Sequence, residues 1–336
     1  MKEKPVHSLD DLWNKYLFKS NEMKGLPLWH YTSADGFCGI IRNKQEEHGK
    51  LHFWFTRSDC LNDTSEGSHV LDLFHEICSE LLNRKKISQD FYDLLRGVTI
   101  PDEHFISYNI PQRGSKEQKQ VMDRVSCHAF ICSFSLKADS LDMWRYYSKA
   151  NTGVALALSP KIFTEYIDYH YAKCNNEEVV FCAMDSFKVV YDSERKRTIL
   201  NDLVCDLYSV YCQPPQSENI RKENVIQMLQ YYLRTLQFRF KHDCYSSEEE
   251  FRFVFYLPNQ KPEPLKDRLP EVQFRTQNGL IIPYIDLAVK CRNAHLYEVL
   301  ISPYSKNSAS VTAINDYLVY CALNPCAKQS VLPVRF

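Results

Sequence analysis

The run Ser247-Glu248-Glu249-Glu250-Phe251-Arg252-Phe253-Val254-Phe255-Tyr256 joins an acidic stretch to a dense apolar and aromatic segment. Aromatic and β-branched residues favour strands, so Phe251–Leu257 is predicted to be a core strand. Residues two apart in an extended chain share a face, so Glu248 and Glu250 are expected to project in the same direction. Far upstream, Leu28-Trp29-His30-Tyr31-Thr32-Ser33 predicts a second core strand, and this one carries a histidine.

The composition is that of an ordinary globular protein. The chain has 336 residues, 44% hydrophobic and 25% charged, and is long enough to bury a full core. Lys+Arg number 41 and Asp+Glu number 42, a formal net charge of -1, which argues against a function based on a large electrostatic grip on nucleic acid. The two commonest nucleotide-binding loops, G-x-G-x-x-G and G-x-x-x-x-G-K-[ST], do not occur in the sequence.

The cysteines and the N-terminal residues indicate in which cellular compartment the protein is expected. The 13 cysteines are scattered without a C-x-x-C pair or zinc-ligand spacing, so no metal site is expected. Free thiols fit a reducing compartment, which predicts a cytoplasmic protein. Met1–Pro5 is not followed by an apolar segment, and no run of about 18 apolar residues occurs, so no membrane association is expected.

Hydrophobic periodicity predicts strands and helices in irregular order, which indicates an α+β fold. The predicted strands are Leu28–Thr32, Leu51–Thr56, Ala129–Phe134, Val154–Leu158, Phe187–Tyr191, Phe251–Leu257, Glu271–Arg275, Leu280–Asp286 and Leu296–Ile301. The predicted helices are 8–20, Ala34–Arg42, Val70–Leu82, Ser88–Leu95, Asp142–Lys149, Lys161–Tyr166, 194–240 with a break at Pro214-Pro215, and Ser308–Cys321. Residues 96–120 contain proline, glycine and many charges, and are predicted to be a mobile surface segment.

Several short segments follow one another in a distinctive order between residues 28 and 305. They are Leu28–Ser33, Phe53–Thr56, Leu61–Glu66, Ile131–Ser135, Met143–Tyr147, Gly153–Leu156, Phe240–His242, Glu248–Arg252 and Gly279–Tyr284. This order resembles a bacterial family named domain of unknown function 2971 (DUF2971). Thr64 stands where that family usually has proline, and the segments 85–125 and 194–239 look like insertions.

A more distant resemblance is to the ADP-ribosyltransferase fold. Many of its members begin a core strand with a run such as His30-Tyr31-Thr32 and place a Glu-x-Glu pair before a late strand. This resemblance implies an ADP-ribosyltransferase-like split β-core, mixed or antiparallel, with helical insertions. The whole chain, 1–336, is then expected to form one domain. Its core would comprise 28–84, 126–192 and 240–305, its insertions 85–125 and 194–239, and its C-terminal helix 306–322.

The same resemblance implies that NAD is the substrate and that Glu250, Glu248 and His30 are catalytic. Cleavage of the nicotinamide–ribose bond builds positive charge on the ribose, and a fixed carboxylate stabilises that charge. Glu250 is predicted to supply this carboxylate, Glu248 to orient the acceptor, and His30 to bind a ribose hydroxyl. The alternative is structural: a solvated start of a strand in which Arg252 pairs with one glutamate, and a satisfied half-buried histidine.

Residues predicted to bind NAD come from three places in the chain. They are His30, Tyr31, Thr32, Ser133, Ser135, Trp144 and Tyr146. The serines are expected to brace Glu250 or the ribose, although both could be ordinary strand hydroxyls. Met143 and Tyr147 are spaced i, i+4 and are expected to pack in the core, whereas Trp144 and Tyr146 are expected to line a pocket.

Three functions are therefore considered. The first is transfer of ADP-ribose from NAD to a protein or nucleic-acid acceptor by an intracellular toxin or anti-phage defence effector, with an antitoxin or other regulatory partner. The second is a catalytically inactive ADP-ribosyltransferase-like module for binding or sensing. The third is a metal-dependent nucleic-acid-processing enzyme. For the first, Glu250→Gln is expected to abolish NAD cleavage and to leave the fold intact.

Overall fold

The computed structural model describes residues 26–61, 68–111, 118–148, 153–163, 171–174, 177–180, 184–213, 218–261, 269–277, 279–291, 295–305 and 309–333. The chain divides into two compact units. The larger unit comprises Ser20–Asn62, Glu103–Phe187 and Ser247–Phe336. The smaller unit comprises Met1–Lys19, Asp63–Asp102 and Lys188–Ser246.

The larger unit contains a sheet to which all the strands of the described residues belong. The strands are β1 (Leu28–Ser33), β2 (Lys50–Arg57), β3 (Glu103–Pro111), β4 (Gln118–Ser135), β5 (Gly153–Leu158), β6 (Tyr171–Cys174), β7 (Glu177–Val180), β8 (Met184–Lys188), β9 (Glu250–Pro258), β10 (Val272–Gln277), β11 (Leu280–Lys290), β12 (Leu296–Ile301) and β13 (Ala327–Gln329). The main path runs β10-β11-β2-β4-β1-β5-β12-β13. Its pairs are antiparallel except for β12 with β13.

Helices flank the strands in sequence. They are α1 (Ala34–Ile40), α2 (Ser68–Asn83), α3 (Gln89–Leu95), α4 (Leu141–Tyr147), α5 (Ser193–Tyr211), α6 (Glu218–Arg239) and α7 (Ala309–Tyr320). Ser33 caps α1 by accepting a hydrogen bond from the backbone of Gly36 at 3.1 Å, which satisfies an otherwise unpaired N–H group. This cap fixes the point at which β1 ends.

Strand β4 organises the larger unit because it pairs with four other strands. Its first half pairs with β3, and its second half pairs with β9 from Cys127↔Pro258 to Ser135↔Glu250. It also meets β2 at Thr56↔Ile131 and β1 at Trp29↔Ser135. The acidic start of β9 and the histidine strand β1 therefore meet at the same end of β4.

One face of this sheet carries the main core. Phe53, Phe134, Phe163 and Phe253 are buried on it, with ring centroids 4.6 to 6.0 Å apart in the contacting pairs. Every residue of β9 is buried, which explains why its sequence reads as a nearly continuous apolar run instead of a strict alternation. The aromatic content of the sequence is thus used to fill this face.

The smaller unit is helical and contains α2, α3, α5 and α6. Asp192 caps α5 by accepting a hydrogen bond from the backbone of Arg195 at 2.7 Å. On α5, Arg197 donates to Glu76 of α2 at 2.9 Å and also pairs with Glu80. α5 ends at Tyr211 and α6 begins at Glu218, whereas the break predicted at Pro214-Pro215 lies outside the described residues.

The predicted α+β class is confirmed. The predicted loop character of 96–120 is wrong over 103–111 and 118–120, and 112–117 lie outside the described residues. β3 and the start of β4 form an antiparallel ribbon there. The strand predicted at Phe187–Tyr191 begins earlier, at Met184, and β6 and β7 were not predicted. The predicted helix 8–20 and the end of the predicted helix Lys161–Tyr166 lie outside the described residues. No helix in the described ranges is long and apolar enough to cross a membrane.

Candidate active site

The sheet register decides which predicted site residues lie together. Trp29 is paired with Ser135, and Ser135 with Glu250, so these three side chains project from the same face. Ser133 and Arg252 are also paired and lie on that face. We call this the carboxylate face. The opposite face holds the aromatic core.

Glu248 lies at the carboxylate face as the last residue of a short 3-10 helix, Asp243–Glu248. Its side chain is buried, and its Oε1 accepts a hydrogen bond from the Tyr147 hydroxyl of α4 at 3.1 Å. The Ser135 hydroxyl donates to the Glu248 carbonyl at 2.7 Å. Both ends of the residue are therefore fixed, one by a phenol and one by a strand serine.

Glu250 is held by an arginine two residues along β9. Arg252 Nε donates to Glu250 Oε1 at 2.9 Å, and a second guanidinium nitrogen donates to Oε2 at 3.0 Å. Arg252 is 1% exposed and Glu250 is 5% exposed. The structural alternative predicted that Arg252 pairs with one glutamate, and this is confirmed. Its prediction of a solvated strand start is wrong for these two residues.

Glu249 turns the chain between the two buried carboxylates. Its φ of 41° lies in the left-handed region, which costs a residue with a side chain about 1–2 kcal/mol. Its carbonyl accepts from the backbone of Leu136 at 2.9 Å, and its side chain lies 3.5 Å from Lys137 Nζ. The expectation that Glu248 and Glu250 belong to one extended stretch is therefore wrong, because a turn brings both to the site.

His30 does not join the carboxylates. It follows Trp29 on β1, so its side chain projects from the opposite face, where its ring lies 5.2 Å from Phe134 and 5.8 Å from Phe53. Its Nδ1 is 3.3 Å from the carbonyl oxygen of Ser133. Burial lowers the pKa of His30 to about 4, although the hydrogen bond with Ser133 opposes the shift. The predicted combination of His30 with Glu248 and Glu250 in one site is not formed.

The other predicted binding residues have mixed positions. Tyr31 is buried against Trp144, and its hydroxyl donates to the Lys137 carbonyl at 2.9 Å. Thr32 lies near the end of β1, two residues after His30 and therefore on the same face of the strand. Trp144 is 0% exposed and donates to Asp139 at 2.8 Å, so the expectation that it lines an open pocket is wrong. Tyr146 is 66% exposed on α4.

The two predicted serines differ in what they do. Ser135 is buried and braces Glu248 through the hydrogen bond described above. It also accepts from the backbone of Lys137 at 3.1 Å. Ser133 is half-buried and lies across from Arg252. The serines were predicted to brace Glu250 or the ribose, but the hydrogen bond of Ser135 goes to the backbone carbonyl of Glu248.

Tyr147 was predicted to pack in the core, and that prediction is wrong because the side chain is 39% exposed and bonded to Glu248. Burial of its hydroxyl raises the pKa of Tyr147, and the charges of Glu248 and Glu250 raise it further. The phenol therefore remains a proton donor across the usual pH range. Its contact with Glu248 could not be predicted from the i, i+4 spacing with Met143. That spacing indicates a shared helix face but not which of the two side chains contacts another part of the chain.

The carboxylate face thus combines two fixed glutamates, a phenol donor and a guanidinium. Such a group can stabilise a cation that develops beside it, since its dipoles are oriented before the reaction. Among the described residues, no three His, Cys, Asp or Glu side chains are grouped so that they could hold a metal ion. The groups that this face offers for chemistry are therefore the two carboxylates and the side chains that donate to them.

The chain was compared with protein-family models, with curated proteins and with solved structures. Neither the curated proteins nor the solved structures gave a match to the chain. The residues that a family model matches begin within α4, at Met143, and end within β9, so Tyr147, Glu248, Glu250 and Arg252 all fall among them. Residues 143–253 match the family described as protein of unknown function (DUF2971), which confirms the first resemblance predicted from the sequence.

Proposed function

We propose that the chain is an NAD-dependent ADP-ribosyltransferase that modifies a macromolecular acceptor, with an ADP-ribosyltransferase-like split core in its larger unit. The observation that carries the proposal is the pair of buried glutamates, Glu248 and Glu250, each fixed by its own donor. Breaking the bond between nicotinamide and ribose creates an oxocarbenium-like ribose. Fixed carboxylates beside it lower the energy of that state.

The two glutamates take different roles in this proposal. Arg252 donates to both oxygens of Glu250 and balances its charge. The Tyr147 hydroxyl holds Glu248, and Tyr147 is 39% exposed, so Glu248 lies beside a side chain that a ribose can reach, whereas Arg252 beside Glu250 is 1% exposed. We therefore assign the ribose-stabilising role to Glu248 and a positioning role to the Glu250–Arg252 pair. This exchanges the roles expected from the sequence.

The test is the release of nicotinamide from labelled NAD, and the transfer of label to a cell lysate, by purified wild-type protein and by Glu248→Gln. The substitution removes the charge and conserves the shape, so activity should fall on the order of 100-fold or more. Glu249→Gln is the matched control, because Glu249 is 44% exposed and lies between the two buried glutamates. Full activity of a folded Glu248→Gln variant would remove the proposed mechanism.

The proposal extends to the biological setting. A transferase of this kind that modifies an essential protein or nucleic acid acts as an intracellular toxin or a defence effector. It then requires a regulatory partner that keeps it silent. The near-neutral charge of the chain, -1, implies that the acceptor is recognised by local contacts more than by bulk electrostatic attraction.

A second candidate is a catalytically inactive module of the same fold. The observation that favours it is the position of His30, which lies on the opposite face from Glu248 and Glu250. This candidate predicts that NAD or a related compound binds without release of nicotinamide. Calorimetric titration combined with product analysis separates the two candidates. The metal-dependent nucleic-acid-processing enzyme considered above has no metal-binding cluster in the described residues to support it.

A further inference from the structure

Arg275 occupies an unusual position on the β10–β11 hairpin of the larger unit. A terminal guanidinium nitrogen donates to the Thr56 hydroxyl of β2 at 2.9 Å. The guanidinium carbon lies 5.2 Å from the Trp54 ring centroid and 5.5 Å from that of Tyr284. We call these four residues the Arg275 cluster. It lies on the same face of the sheet as Glu250, because Thr56 is paired with Ile131, two residues before Ser133. Its four residues differ from those described above as donors to Glu248 and Glu250.

The charge of Arg275 has no counter-charge in the part of the chain that the structure describes. Its Nε is buried without a hydrogen-bond partner, and no described Asp or Glu forms an ion pair with it. Burial lowers the pKa of Arg275, as expected for a cation that the surrounding groups do not compensate. By contrast, Arg42 pairs with Asp286 and Arg252 with Glu250. A half-buried guanidinium without an acid destabilises the folded chain unless a ligand supplies the anion.

The rings beside the guanidinium indicate what kind of anion would fit. Trp54 is 42% exposed, so a planar group can reach its ring. Tyr284 is buried against it, with the two ring centroids 4.8 Å apart, and its hydroxyl donates to Gln273 at 2.9 Å. Tyr284 therefore contacts both Trp54 and Arg275 and holds them in position. The site offers a phosphate-binding fork and a stacking surface within one cluster.

We propose that the Arg275 cluster binds a nucleotide, with the phosphate on Arg275 and the base stacked on Trp54. Arginine binds phosphate oxygens through two parallel N–H groups, and the Thr56 hydroxyl, which accepts from Arg275, can donate to a further phosphate oxygen. Every base has a face that can stack on an aromatic ring, so the cluster recognises the nucleotide class and not one base. This inference does not rest on the proposed transferase activity, since it concerns binding by other residues.

The experiment is titration of the purified full chain with ADP and, separately, with inorganic phosphate, followed by calorimetry. ADP is expected to bind at least tenfold more tightly than phosphate, because only ADP can stack on Trp54. Arg275→Gln is expected to weaken ADP binding at least tenfold, and Arg275→Lys by less. Trp54→Leu is expected to weaken ADP binding and to leave phosphate binding unchanged. Arg57→Gln is the matched control, since Arg57 lies at the end of β2 and already pairs with Asp59 at 2.7 Å.

Thermal denaturation, first without and then with ADP, provides a second measurement. An arginine with a purely structural role would lower the melting temperature when it is replaced. Arg275→Met should unfold at the same temperature as wild type or higher, and ADP should raise the melting temperature of wild type but not of this variant. The proposal is overturned if ADP binds Arg275→Gln as tightly as wild type, or if neither ADP nor phosphate binds at millimolar concentration. Equal affinities for ADP and phosphate would overturn the stacking role. Binding of a single-stranded oligonucleotide without binding of ADP would overturn the nucleotide in favour of a nucleic acid.

Discussion

Glu250 and Arg252 form a buried pair, and this changes what a substitution at Glu250 reports. Glu250→Gln removes one charge of a buried ion pair, so it should lower the free energy of unfolding by on the order of 3 kcal/mol. This revises the expectation that the substitution leaves the fold intact. Replacing both residues, as in Glu250→Leu with Arg252→Met, should cost clearly less than the sum of the two single changes. Urea denaturation of wild type, Glu250→Leu, Arg252→Met and the double variant measures the free energy of unfolding of each. If the two single losses add up to the loss in the double variant, the pair is not coupled.

His30 should make stability depend on pH. Its pKa is lowered to about 4 in the folded chain, against 6.5 for an ordinary histidine. The unfolded chain therefore binds the proton first as pH falls. The stabilising contribution is complete above pH about 6.5 and should be reduced by on the order of 2 kcal/mol at pH 5.

Denaturant unfolding of wild type and His30→Leu at pH 7 and pH 5 tests this, because the variant should lose less stability than wild type between the two values. His128→Gln, at an exposed position on β4, is the matched control and should behave as wild type does. Parallel losses in wild type and His30→Leu would place the titrating group elsewhere.

At the level of single residues, the sequence identified the acidic pair and the pairing of Arg252 with one glutamate, but not the contact of Tyr147 with Glu248 or the face on which His30 lies. Glu248 and Glu250 stood out as acids at the start of an apolar strand. The position of His30 on the other face could not be predicted, because it follows from the pairing of Trp29 with Ser135, which lie more than 100 residues apart in the chain. Side chains alternate with period two, so an unknown register leaves the face of every strand residue undetermined.

The turn before β9 is an element whose strain can be measured. Glu249 has a φ of 41°, a conformation that glycine adopts without steric penalty. Glu249→Gly should therefore raise the free energy of unfolding by up to about 1 kcal/mol relative to Glu249→Ala. The alanine variant is the control, since it removes the contact with Lys137 and retains the Cβ. A glycine variant less stable than the alanine variant would show that the turn is not strained.

Strands were predicted most accurately where the sequence is a short apolar run. β12 was predicted with its observed bounds, and β2, β5 and β9 nearly so, because each is a short apolar run between polar residues. The ribbon of β3 and β4 was missed because its charges and Pro111 were taken as signs of a loop. Pro111 is the last residue of β3, a position where a missing N–H disturbs the ladder little.

At the scale of the whole molecule, the α+β class followed from the irregular order of strands and helices, but the sheet order did not. β2 and β4 are neighbours although 60 residues separate them, and β1 lies between β4 and β5. Non-local pairing of this kind leaves no trace in local periodicity. The division into a sheet-bearing unit and a helical unit was likewise not readable from composition.

The proposed function predicts a cellular effect of the whole chain. A transferase that modifies an essential component should arrest growth of bacterial cells when it is made without a regulatory partner. Glu248→Gln should relieve the arrest, because it removes the carboxylate assigned to the ribose while Tyr147 can still donate to the amide oxygen. Glu249→Gln is the control that should arrest growth as wild type does, with the abundance of each protein checked by immunoblot. If Glu248→Gln arrests growth as strongly as wild type at equal abundance, then ADP-ribosyl transfer is not the cause, and the chain acts through binding alone.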